Sequence, residues 1–193
     1  MTFVLIFSYK FLNMNSFAGH PVYSKNVFEL ITVANDYCLT LSKIENADRE
    51  YLIDYLRKVS PLLYIKASLL PDVVVENSDA NEKFITQEEW ESLFNILRKK
   101  FEHQDEFWYI DPSGVTNEPV KGSLSECFAD IYQDLKDFLL LYQKNSIAAK
   151  ENAVHDVKHL FETRWGFELV NAHKILHYLT MPGTDNDEFK AVD

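Results

Sequence analysis

Glycine and proline are scarce in this 193-residue chain, at five and six. A turn-dense all-β fold needs more of both, so helices are expected instead. Cysteine is rarer still. Cys38 and Cys127 fall inside helical patterns, without the close spacing of a zinc cluster or the number that a disulfide framework requires. They are expected to be reduced core residues of a cytoplasmic protein. Basic residues are outnumbered, 19 against 30 acidic, and the formal net charge of −11 repels phosphate backbones. Nucleic acid is therefore not an expected partner. Membrane is not expected either, because the apolar stretch at residues 1–13 is too short to span a bilayer. It also lacks the basic start and small-residue cleavage site of a signal peptide. With Met14 directly after it, the expectation is an upstream extension over 1–13, one helical domain over 14–182 and an acidic tail over 183–193.

What is present is apolar and aromatic. Hydrophobic residues make up 47% of the chain and aromatics 14%, which excludes general disorder and lets one domain build its core without staples. The apolar spacing predicts an all-α, single-domain bundle of five to seven helices, ending in one long helix. The first runs from about Ser24, its N-cap, to Leu41, with Val27, Leu30 or Ile31, Ala34, Cys38 and Leu41 on one face. A second begins near Asn46 to Asp48, and Pro61 in its path reads as a kink or a new first turn. The segment Leu62 to Leu70 is so apolar that it belongs at the centre of the bundle, and Asp72 to Ile85 reads as a connecting loop. Thr86-Gln87-Glu88-Glu89 and Ser123-Leu124-Ser125-Glu126 are capping boxes that each open a helix. The second of these carries Glu126, Asp130, Asp134 and Asp137 along one side, expected to face water.

The longest pattern spans Ser146 to Leu179, with Val154, Val157, Phe161, Trp165, Leu169, Ala172, Leu176 and Leu179 spaced three or four apart. Gly166 interrupts it, so either the helix bends there or something packs close. Four of the six histidines lie on this stretch, as the pairs His155/His159 and His173/His177. The pairs are 18 residues apart, five whole turns, which places all four on one side. That side is rotated roughly 100–140° from the apolar stripe, on the flank or solvent face. An i,i+4 pair suits a metal ion, and Glu151 and Glu162 flank the first pair. At about 1.5 Å per residue the two pairs are too far apart to share one ion. A solvated flank is the simpler expectation, and no cofactor is expected.

Between the two capping boxes, His103 to Gly122 has no helical pattern and reads as a long irregular loop. It holds Phe107, Trp108, Tyr109 and Ile110 beside Asp105, Glu106 and Asp111. Either the rings plug the bundle end, or one ring stays exposed near acids as a binding anchor. Trp108, Tyr109, Asp105 and Asp111 are thus the candidate partner-binding residues.

Three segments resemble an uncharacterised bacterial family described only as a domain of unknown function: Ser60 to Pro71, Ser123 to Lys136 and Phe161 to Gly166. The similarity covers about Phe17 to Leu179 and leaves residues 1–13 outside. It implies no activity, cofactor or catalytic residue. With no His-Glu-x-x-His and no di-iron-type Glu-x-x-His repeat, the expected function is that of a non-enzymatic interaction or scaffold protein with an acidic surface. The alternative is a metal-binding protein or metal-dependent hydrolase built on His155 and His159.

Overall fold

The computed structural model describes residues 19–111 and 118–181. The expectations for residues 1–13 and for the acidic tail fall outside the described residues. Six α-helices and one hairpin make up the described chain: α1 (Lys25–Leu41), α2 (Arg49–Ser68), α3 (Gln87–Phe101), β1 (Glu106–Ile110), β2 (Pro119–Ser123), α4 (Leu124–Tyr142), α5 (Ile147–Leu160) and α6 (Gly166–Leu179). A π-helical turn, Phe161–Trp165, joins α5 to α6. Together these three form the expected long C-terminal helix, 33 residues in all. The protein is a mostly helical single domain.

The central element is α4, which packs against α1, α3 and α5. Phe128, Ile131, Leu135 and Phe138 are buried along it, at the steps of three and four that the spacing predicts. The apolar segment of α2 does not take the central place expected of it. Leu63 and Ala67 are buried, but Leu62, Ile65 and Leu69 are half exposed. A continuous apolar run cannot show which side is covered, and here the cover comes mainly from α1 and α6. Pro61 sits inside α2 and neither ends nor restarts it. Its missing N–H costs the helix one bond, to the carbonyl four residues back.

At the helix starts, the Thr86 capping box forms with both arms, Glu89 N–H to Thr86 Oγ1 at 3.2 Å and Thr86 N–H to Glu89 Oε2 at 3.0 Å. Ser24 stands at the α1 N-cap position but makes no side-chain cap bond. Ser123 does cap α4, accepting from the Glu126 N–H at 3.1 Å.

The segment from Leu70 to Ile85 is a connection with one short 3-10 turn, Ser78–Ala80. Its polar backbone is held by buried side chains. Asp137 Oδ1 accepts from the N–H groups of Phe84 and Ile85 at 2.8 and 3.0 Å, and Asn152 Nδ2 donates to the Asn77 carbonyl at 2.8 Å. The acid row of α4 is therefore not a solvated face throughout. Asp137 and Asp134 are buried, one accepting from loop amides and the other from Arg164.

Candidate functional site

The hairpin is the first feature the sequence hid. Residues read as irregular loop form two five-residue strands, with Trp108 paired to Lys121 and Phe107 to Gly122. Alternation across the pleat sorts the aromatic run into two faces. Phe107 and Tyr109 turn toward the bundle, while Trp108 and Ile110 turn away and are 67% and 59% exposed. Gly122 makes the inner face possible, because a Cβ there would lie 2.7 Å from the Phe107 ring. Tyr109 meets Phe167 of α6 edge-on, ring centres 6.0 Å apart. Beside Trp108 on the outer face, Lys121 and Glu106 form an ion pair at 2.6 Å.

Asp105 corrects the expected partner site. Its side chain is buried rather than displayed. One oxygen accepts from the Ser125 N–H at 2.7 Å, and the other accepts from the hydroxyls of Ser123 and Ser125, each at 2.9 Å. It fixes the start of α4, where unpaired amides and the helix dipole favour a carboxylate. Asp111 remains at the hairpin end, close enough for its charge to help push the Tyr109 hydroxyl up, after burial as the main cause. Trp108, Tyr109 and Asp111 thus share the hairpin, with Trp108 on its free face.

A second cluster centres on the π turn. Gly166 N–H bonds back to the Phe161 carbonyl, and a Cβ at position 166 would stand 2.5 Å from that oxygen. The close approach expected at Gly166 is present, and the α-helix gives way to a π turn directly before it. The wide turn swings Arg164 onto α4, where Nη2 donates to Asp134 at 2.5 Å and Nη1 lies 3.7 Å from Asp130. Trp90 of α3 donates its indole N–H to the same Asp130 at 2.7 Å. Burial pushes the Asp134 carboxyl up despite the guanidinium against it. Glu168, one turn beyond Arg164, is also raised, by burial and then by the Asp130 charge. Its Oε2 and the Arg164 Nε have no hydrogen-bond partner. The sequence signal near this network was Gly166, which interrupts the helical pattern two residues after Arg164.

The π turn also moves the histidines. One extra residue in the helical path rotates the rest of the helix by roughly 100°, so the two pairs do not share a side as the 18-residue spacing predicts. His155 and His159 are exposed with nearly parallel rings, centres 6.3 Å apart. His173 is half buried, and desolvation lowers its pKa. Glu151 does not join the first pair. It is buried under the turn Pro21–Tyr23 and the loop before α3, with Oε1 3.3 Å from His20 Nε2 and Oε2 accepting from the Glu76 N–H. Glu162 is exposed and lies 3.8 Å from Lys158. Among the described residues no group of three or more His, Cys, Asp or Glu side chains is placed to hold a metal ion. A shallow cleft lies where Glu82 and Lys83 meet α4 and α5, with a cavity volume of only about 10 Å³. That is far below the roughly 300–1,000 Å³ of pockets that enclose a small-molecule ligand.

Comparison with known families matches residues 21–181 to a domain of unknown function, DUF5063. The chain belongs to the DUF5063 family. A solved structure, protein BF1032 from Bacteroides fragilis, is similar to this DUF5063 chain with a TM-score of 0.77 and 30% identity, over 86% of this chain and 99% of that one. No curated protein matches. Family and fold therefore carry no specific function to this DUF5063 chain, and its function must be sought in surface chemistry.

Proposed function

We propose that this chain is a non-enzymatic, cytoplasmic interaction protein whose hairpin offers Trp108 and Ile110 to a protein partner. One observation carries this reading: these two apolar side chains of β1 stand on the face turned away from the bundle, more than half exposed. Folding gains little from a ring left in water, whereas a partner gains a rigid anchor with little entropy to lose. The paired strands fix the backbone beneath both side chains, and the Glu106–Lys121 ion pair supplies a polar rim. The net charge of −11 and the two buried free cysteines support a reduced setting without nucleic acid. No helix among the described residues is long and apolar enough to cross a membrane.

The test compares capture from a native lysate by the wild-type chain, a Trp108→Ser/Ile110→Ser variant and a Val170→Ser control. Val170 is likewise apolar and about half exposed but lies on α6. The expected result is a discrete bound protein that the hairpin variant loses and the control retains. Equal capture by all three would remove the hairpin from consideration.

A second reading rests on the near-parallel, exposed rings of His155 and His159. Such a pair can take a late divalent metal. Elemental analysis of the purified chain separates the two readings. The first expects the His155→Ala/His159→Ala variant to match the wild type in metal content, and loss of a stoichiometric metal in that variant would promote the second.

A further inference from the structure

The outward face of α2 is built for pairing. Tyr51, Tyr55, Lys58, Leu62, Ile65 and, at the C-cap, Leu69 follow one another at steps of four, three, four, three and four, the repeat of a helix seam. At about 100° per residue all six stay within roughly 40° of one line, on the side away from buried Leu56 and Leu63. Solvent-facing helix sides are normally charged. Here Tyr51, Leu62, Ile65 and Leu69 are each about half exposed, between 49% and 53%. The polar groups bordering the line are already engaged within the chain. Tyr55 Oη donates to Asp36 at 2.9 Å, Lys58 Nζ to Asp54 at 2.5 Å and Lys66 Nζ to Glu29 at 2.9 Å. Covering this face would strand none of them, and with its ammonium held back by Asp54, Lys58 presents its apolar stem.

We infer that two copies of this chain pair through α2, antiparallel, about a two-fold axis level with Ser60. The spacing is symmetric about that residue. Antiparallel pairing sets Tyr51 against Leu69, Tyr55 against Ile65 and Lys58 against Leu62 of the second copy, each ring or stem against a branched aliphatic side chain. Parallel pairing would instead bring Lys58 against its own copy. A patch that fits itself in this way is what a two-fold interface requires, and such dimers are the commonest oligomers. With Tyr51, Leu62, Ile65 and Leu69 about half exposed, Lys58 more so and Tyr55 less, the six side chains leave on the order of 600 Å² per copy, so a pair that covers them all would bury on the order of 1,200 Å², the lower edge of specific interfaces. The inference does not depend on the hairpin reading.

Sedimentation equilibrium across the micromolar range tests it. The wild-type chain is expected at twice its 22.5 kDa mass. Ile65→Glu is expected to weaken the dimer at least about tenfold with unchanged circular dichroism, while Val170→Glu leaves it intact. Should Ile65→Glu lose helicity, Leu69→Lys is read in its place. Cysteine pairs report the orientation: Tyr51→Cys/Leu69→Cys should cross-link between copies under mild oxidation, and Leu69→Cys alone should not, the native Cys38 and Cys127 being buried. A wild-type monomer throughout, a dimer indifferent to both α2 variants, or cross-linking by Leu69→Cys alone would each overturn the proposal.

Discussion

At the scale of single residues, Gly166 gives the sharpest test because two effects oppose each other in sign. In an ordinary helix interior, Gly→Ala stabilises by about 1 kcal/mol. In the π turn the new Cβ would meet the Phe161 carbonyl at 2.5 Å, so the backbone must move. Overpacking of that kind costs about 1–3 kcal/mol. Gly166→Ala is therefore expected to lower stability in urea unfolding, and a gain would mean the π turn is not there. Glu168 supports a prediction in pH. Its folded pKa is raised above 4.5, so the folded state holds that proton more readily than the unfolded chain does. The deficit from its charged form is absent below the unfolded value and present in full above the folded one. Glu168→Gln should raise the melting temperature at pH 7, with the advantage fading as pH falls through that raised pKa toward 4.5. An advantage that persists in full at about pH 4, below the unfolded value, would contradict the assignment. Asp105→Ala removes the acceptor for one buried amide and two hydroxyls, and is expected to cost about 1–3 kcal/mol in the same urea assay.

Among the elements, those with a strong apolar period were legible in the sequence and those fixed by long-range partners were not. The helices α1 and α4 bury residues at the apolar spacing the sequence shows, and the Thr86 capping box forms with both of its bonds. The hairpin was hidden because Phe107-Trp108-Tyr109-Ile110 is apolar on both faces, so no period of two shows. The packing of Phe107 against the core and the contact of Tyr109 with Phe167 give the strand an inside. Likewise, Asp105 and Glu151 looked like free carboxylates, because the backbone amides they hold lie 20 and 75 residues away in sequence. The four histidines seemed aligned until one extra residue in a π turn broke the count. Gly122→Ala probes the same hairpin packing. It should displace Phe107, loosen β1 against the bundle and speed hydrogen exchange at Trp108 and Ile110, while the amides of α4 stay protected. Uniform protection in that variant would show that the ring does not depend on the glycine.

At the scale of the whole molecule, α4 binds the fold together, while among the described residues the hairpin's free side and the α2 line turn apolar side chains outward. Family membership describes the architecture without adding chemistry. The central claim is that the hairpin has two faces with different duties, Phe107 holding it to the bundle and Trp108 left free for a partner. Urea unfolding of Phe107→Ala and Trp108→Ala, side by side, tests this most directly. The expected losses are about 2 kcal/mol or more for Phe107→Ala and less than about 0.5 kcal/mol for Trp108→Ala. A loss at Trp108 of about 2 kcal/mol or more, the size of one buried large side chain, would make that ring part of the core and contradict the claim.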